Sequence, residues 1–217
     1  MRGRFITFEG GEGSGKSTQI RHLAEWLRQQ GIVVSVTREP GGSPMGERIR
    51  ALLLDPSAKL DALTQLFLFC AARRDHVVAS IAPALQRGEW VLCDRFIDST
   101  RAYQGAANAI PLDLISRLET AAIGATRPDL TIILDIAPER GLERANMRRG
   151  KDSADAFEAA DIAFHQRVRE AYLAQALAEP ERCKVIAAEG SEQIVAKAVI
   201  DLCRKHFELL EKGIANA

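Results

Sequence analysis

Eight residues, Gly10-Gly11-Glu12-Gly13-Ser14-Gly15-Lys16-Ser17, constrain this chain more than anything else in it. They match GxxxxGK[ST], after the apolar run Phe5–Glu9 and before an amphipathic stretch beginning at Lys16. A strand, a glycine-rich loop and a helix in that order form a cradle for phosphates. Glycines let backbone N–H groups converge where side chains would intrude, and the helix N-terminus adds positive potential. In that cradle Lys16 serves the β- and γ-phosphates of ATP. Ser17 serves Mg²⁺, and Thr18 follows as a further phosphate contact. Outside this context the same letters would be only a flexible turn.

The rest of the chain fits the fold this motif demands. Short apolar runs alternate with long amphipathic ones, the pattern of βαβ units around a parallel sheet. Strands are expected at 5–9, 33–37, 90–93, 130–135 and 184–188. Helices are expected at 16–30, 46–54, 62–87, 112–124, 138–149, 156–178 and 192–210. Gly31 and Gly88 read as helix terminators, and Pro138 as a first-turn residue. We read all 217 residues as one domain. Lys plus Arg and Asp plus Glu each number 29, which argues against a nucleic-acid-coating role. No apolar run is long enough to span a bilayer, and the N-terminus lacks signal-peptide character, so a cytoplasmic protein without a membrane partner is expected. Cys70, Cys93, Cys183 and Cys203 are scattered and read as reduced thiols. The four histidines show no metal-ligand spacing and read as structural or surface residues.

A phosphate loop is shared by GTPases, motors and kinases. Neither DxxG nor NKxD, the marks of common GTPases, occurs here, and no strand ends in the Asp-Glu pair of many motors. Instead one strand ends Cys93-Asp94-Arg95. Asp94 is a candidate Mg²⁺ ligand beside Ser17. The adjacent Arg95 suits a second phosphorylated ligand, as in a nucleoside monophosphate kinase.

Three further segments sharpen this reading: Thr37-Arg38-Glu39-Pro40-Gly41-Gly42, Phe69-Cys70-Ala71-Ala72-Arg73-Arg74-Asp75-His76, and Asp94-Arg95-Phe96 running on to Tyr103-Gln104-Gly105. Taken with the phosphate loop, they make the chain resemble the bacterial thymidylate kinases from end to end. The resemblance implies a P-loop α/β fold with strand order 2-3-1-4-5, transfer of the ATP γ-phosphoryl group to dTMP, and a homodimer. The helices near 63–78 and 112–123 are candidates for its interface. It implies that Phe69 stacks on the base, that Arg73 and Gln104 hydrogen-bond its edge, and that Arg50 and Arg95 hold the acceptor phosphate. Pro40, Ser99 and Thr100 complete the pocket. Tyr103 lies near C2′, and Glu12 and Glu39 lie near the sugar and metal. A helical Phe69 would otherwise read as core, and the two glutamates as solvated loop residues. Arg74 is expected to pair with Asp75 or Asp98.

A lid is expected at about 140–158. Arg140, Arg144 and Arg148 recur every four residues and so share one helix face, where like charges repel modestly until an anion is bound. Arg144 is a candidate for the adenine side of ATP. The resemblance places a transition-state arginine either in the phosphate loop, where this chain has Gly13, or in the lid. There this chain reads Asp155-Ala156-Phe157-Glu158, with Ala156 where many relatives carry arginine. Arg149 is the first substitute and Arg148 the second.

Overall fold

The computed structural model describes residues 2–149 and 160–209. Five parallel strands, β1 (Phe5–Glu9), β2 (Val34–Arg38), β3 (Trp90–Asp94), β4 (Leu130–Asp135) and β5 (Cys183–Ala187), form one sheet in the order β2-β3-β1-β4-β5. The register pairs Phe8 with Asp94 and Glu9 with Ile133, so the strand ends that carry polar residues lie side by side.

Because β1 is central, alternate residues must feed two cores. Ile6 and Phe8 face α1 (Lys16–Gln29) and α9 (Glu192–His206), packing with Leu23, Leu27, Val199 and Cys203. Phe5 faces the other way, among Ile81, Leu85, Phe96 and Ile123. A third cluster joins Ile133 of β4 to Val168 and Tyr172 of α8 (Ile162–Ala178). Burying each large aliphatic side chain of this kind contributes about 1.5–3 kcal/mol.

Most element ends fall within a residue or two of expectation, and Gly31 and Gly88 adopt φ of 81° and 82° as terminators should. The exceptions have local causes. β2 runs one residue later than expected because Trp90 N–H bonds Val33 O and Val34 pairs with Trp90. α2 (Pro44–Leu54) starts early, capped by Ser43, whose Oγ accepts from Gly46 N. The stretch expected as one helix at 62–87 is α3 (Ala62–His76) joined to α4 (Ala82–Gln86) by a π-turn at Val77–Ile81. α8 begins at Ile162 because Asp161 caps it, accepting from Phe164 N at 2.7 Å, while 156–159 lie outside the described residues. α9 ends at His206, before a left-handed Glu208, and Leu210 lies outside the described residues. α6 (Leu112–Ile123) and α7 (Pro138–Arg149) match expectation.

One helix was not anticipated. α5 (Ile97–Thr100) runs into a π-helical segment, Arg101–Ala107. Buried ion pairs bolt it to the fold. Arg182 grips Asp98 with two bonds of 2.7 Å, and Arg101 grips Glu119 with two of 2.9 Å. Glu179 receives both arginines. Asp98 therefore pairs with Arg182 and not with the expected Arg74; the carboxylate is fully buried, so the cation had to come from the sheet side. Breaking a buried pair from one side leaves the other charge stranded. Arg182→Met should lower unfolding free energy by about 3–5 kcal/mol, and adding Asp98→Asn should restore a large part of it. Urea denaturation of the single and double variants checks both.

Candidate active site

A cleft of about 290 Å³ opens at the carboxyl ends of β1, β2 and β3. Its floor is the phosphate loop. Lys16 folds over that loop, its Nζ donating to Gly10 O (3.1 Å) and Gly11 O (2.9 Å). Burial, helped by the charge on Arg95, pulls the ammonium down to about 8 against the opposing pull of Glu12, Asp94 and Glu9. Ser17 Oγ donates to Asp94 Oδ2 at 2.9 Å, so the two expected Mg²⁺ ligands are adjacent and both are oxygens, the donor type a hard cation requires.

Arg95 stands at the centre. Its backbone is left-handed, φ 67°, and Phe96 N–H, next in the chain, is caught by Glu9 Oε1 at 2.8 Å. Its guanidinium donates to Glu12 Oε1 at 2.6 Å and to Gly10 O at 3.1 Å, and it lies 4.9 Å from the centre of the Tyr103 ring. Tyr103 hydroxyl also donates to Glu12, at 3.0 Å. Burial alone would raise Glu12, but Arg95, Lys16 and the Tyr103 bond together hold it down at about 2. Glu12 is thus a fixed anion inside the loop and not a solvated loop residue.

The other end of the cleft is built for a planar polar ligand. Phe69 lines it, with Arg73, Thr100 and Gln104. Arg73 Nη1, Thr100 Oγ1 and Gln104 Nε2 are all buried there without a hydrogen-bond partner in the protein. Native interiors seldom leave buried polar atoms unpaired, so three in one pocket mark where a ligand supplies the partners. Arg50, which donates to Pro40 O at 2.8 Å, lines the same cleft, as do Ser99 and Thr18. Glu39 lines the cleft as well. Both its oxygens are engaged, one by Arg73 Nε (2.7 Å) and one by His76 Nδ1 (3.1 Å).

Arg144 lies outside this cleft, donating to the Ala188 and Glu189 carbonyls after β5. The side chains of Arg148 and Arg149, and the lid segment 150–159 with Ala156, lie outside the described residues. Gly13 bears on them nonetheless. A Cβ at position 13 would sit 1.9 Å from the Gly141 carbonyl oxygen of α7, and the loop there has φ 66°. No side chain fits at the loop position that could have held an arginine.

Two residues were missed from sequence. Tyr172 of α8 and Glu9 meet Ser99 in a buried cluster, with Ser99 Oγ 2.6 Å and Tyr172 hydroxyl 3.0 Å from Glu9 Oε2. Only the run Phe8-Glu9-Gly10, a carboxylate inside an apolar strand end, signalled anything unusual. No group of three or more metal-ligating His, Cys, Asp or Glu residues occurs among the described residues, and Cys70, Cys93, Cys183 and Cys203 are free.

A phosphate loop joined to a second pocket with its own cations and unpaired polar atoms defines a P-loop phosphotransferase that acts on a separate acceptor. Comparison with known proteins agrees. The thymidylate kinase family model matches residues 8–199, and the chain belongs to that family. It is 53% identical over its full length to a thymidylate kinase of Rhodopseudomonas palustris, covering 94% of that protein, and 55% identical over 92% of its length to one from Nitrobacter winogradskyi, covering 87%. The crystal structure of the thymidylate kinase from Ehrlichia chaffeensis superposes with a TM-score of 0.77 at 37% identity, covering 94% of this chain and all of that one.

Glu9 generates a pH prediction. Burial first, and then the nearby Asp98 charge, raise its carboxyl to about 7. Between the ordinary value of 4.5 and about 7 the folded chain keeps a proton that the unfolded chain releases, so this contribution to stability is lost as pH rises through that window. The stability of Glu9→Gln relative to the unaltered protein should rise across it, by about 1–3 kcal/mol, and then level off. Chemical denaturation at stepped pH reads the difference directly.

Proposed function

We propose that the chain transfers the γ-phosphoryl group of ATP to dTMP, giving dTDP and ADP, with the roles below. The observation that carries the reading is the set of three unpaired polar atoms around Phe69, at the far end of a cleft that starts on the phosphate loop. Thymine offers carbonyl oxygens and an N–H on its edge and a flat face for Phe69, a stack worth about 1–3 kcal/mol. Arg73 and Gln104 donate to the edge, and Thr100 can give or accept.

A phosphate oxygen of dTMP attacks the γ-phosphorus of ATP, and the bond from that phosphorus to the β-bridging oxygen breaks, releasing ADP. Such transfers need little covalent help, so the protein's work is placement and charge. Arg50 and Arg95 hold the acceptor phosphate. Glu12 keeps Arg95 oriented until that phosphate arrives. Lys16 swings from the loop carbonyls to the transferring group. Backbone N–H groups of the loop and Thr18 hold the rest of the triphosphate, and Arg144 flanks adenine. Ser17 and Asp94 would hold Mg²⁺, which would supply charge neutralisation during the transfer. Arg149, with Arg148 second, supplies the remaining cation from the lid, a reading supported by the exclusion of any side chain at Gly13. A homodimer through α3 and α6 is supported by the exposed apolar side chains Leu63 and Phe67 of α3, Val78 of the π-turn that follows it, and Leu112 of α6. The described residues contain no helix long and apolar enough to cross a membrane, and a cytoplasmic setting fits this reading.

A coupled assay of ADP release across a panel of nucleoside monophosphates tests the assignment. dTMP should give the highest kcat/KM, and Gln104→Ala should narrow its lead over dCMP by about tenfold. ATP turnover indifferent to every monophosphate would discard the reading. Arg149→Ala should lower kcat about a hundredfold or more with little change in dTMP affinity, the mark of a contact made in the transition state. Introducing Ala156→Arg into that variant should recover much of the loss. Full activity in an Arg148→Ala, Arg149→Ala double variant would remove the lid arginine from the mechanism.

A further inference from the structure

His76 is fully buried at the end of α3, and no step above uses it. Its ring lies between two partners. Nε2 is 2.7 Å from Thr37 Oγ1 at the end of β2, and Nδ1 is 3.1 Å from Glu39 Oε1. A carboxylate oxygen only accepts, so Nδ1 carries the hydrogen, and Nε2 pairs with the Thr37 hydroxyl. The other Glu39 oxygen takes Arg73 Nε at 2.7 Å. Arg73 Nη2 donates to Phe96 O at 3.1 Å, and its guanidinium lies 5.3 Å from the centre of the Phe96 ring. Only Nη1 is left, buried, unpaired and on the wall of the acceptor pocket.

Hydroxyl, imidazole and carboxylate in a row is also the order of a nucleophilic triad. Gly42 excludes that use. A Cβ on Gly42 would lie 2.3 Å from His76 Nε2 and 2.4 Å from Thr37 Oγ1, so backbone covers the hydroxyl and no scissile bond can reach it. Ser80 pins the covering loop by donating to Gly42 O at 2.8 Å. The row holds something still; it does not attack.

We infer that His76 is a positioning residue for base selection: through Glu39 it fixes the plane of Arg73 and so aims Nη1 at the acceptor base. The inference rests on the reading of this pocket as the dTMP site. The Arg73 guanidinium is held at Nη2 by Phe96 O and at Nε by Glu39, and a swivel of the Glu39 carboxylate would pull on the second of these. With its other oxygen tied to His76, one turn further along α3, that carboxylate cannot swivel freely. Pre-orientation of this kind favours the base whose acceptor lies on the line of Nη1 and penalises one that presents a donor there.

Two substitutions separate aim from packing. Asparagine places its amide near the position of Nδ1 and can still donate to Glu39. Glutamine reaches the position of Nε2 and keeps Thr37 while leaving Glu39 loose. His76→Gln should raise KM for dTMP about tenfold, the size of one loosened bond to a charged group, with kcat within about twofold. It should also narrow the kcat/KM ratio of dTMP to dCMP by a similar factor. His76→Asn should stay within about threefold of the parent on both measures. Equal defects in the glutamine and asparagine variants, or a loss of kcat with KM and base preference unchanged, would overturn the inference. Arg73→Gln is the control for the pocket itself. If it raises KM for dTMP while His76→Gln does nothing, the relay falls and the pocket stands; if it leaves KM unchanged, the assignment of the pocket falls first. Should His76→Gln fold poorly, Thr37→Val and Glu39→Gln measured alone decide, the second shifting base preference and the first not.

Discussion

Arg95 and Glu12, 2.6 Å apart, are the interaction on which the rest of the cleft depends. A guanidinium cannot shed its charge, and this one is buried at the meeting point of two anion sites. Without a permanent counter-ion its desolvation would be too costly. Glu12 meets that need from inside the phosphate loop, Gly10 O takes up a further hydrogen, and the Tyr103 hydroxyl donates to Glu12. The apo cleft is therefore already assembled around a cation, with its backbone at φ 67° held by hydrogen bonds on either side. Under the proposed function, an arriving phosphate dianion would exchange partners with a charge that is in place, leaving little reorganisation for the chemical step.

The acceptor side is stiff for a second reason. The helix carrying Ser99, Thr100, Tyr103 and Gln104 makes a π-turn, which puts successive residues out of the usual 3.6-residue phase and lets several of them face one cleft. Such a turn is weak by itself. Here the Arg101, Arg182, Glu119, Glu179 and Asp98 ion pairs clamp it to α6, α8 and the sheet. On the donor side, α7 leaves the sheet from β4 and meets the loop through backbone contact at Gly13 and Gly141.

Much of this was legible in the sequence, and the parts that were not share a cause. The phosphate loop, the strand order and the pocket walls follow from patterns that are local or that recur across a family. Glu12, Arg95 and Gln104 could be named because their types suit phosphate and base. Glu9, Tyr172 and His76 act only through partners 37 or more residues distant in the chain, and nothing in their own neighbourhoods announces that. Glu39 was recognised, but its bonds to Arg73 and His76 were not, because a carboxylate after a strand reads the same whether it faces a sugar or an arginine. The helix at 97–107 escaped because a π-turn breaks the periodicity by which helices are recognised.

The contact between Gly13 and Gly141 reaches beyond this one molecule. The resemblance to the thymidylate kinases implies that the transition-state cation can come from the phosphate loop or from the lid, and a shift between the two looks like a single exchange of side chains. In this chain it is not, because the obstacle at position 13 is the carbonyl of a helix, which no substitution at 141 removes. A lineage built on this backbone would have to slide α7 away from the loop before an arginine there became tolerable, and every intermediate would carry a disturbed phosphate cradle. Helix placement, more than residue choice, fixes the route by which the cation is delivered, and makes that choice hard to reverse.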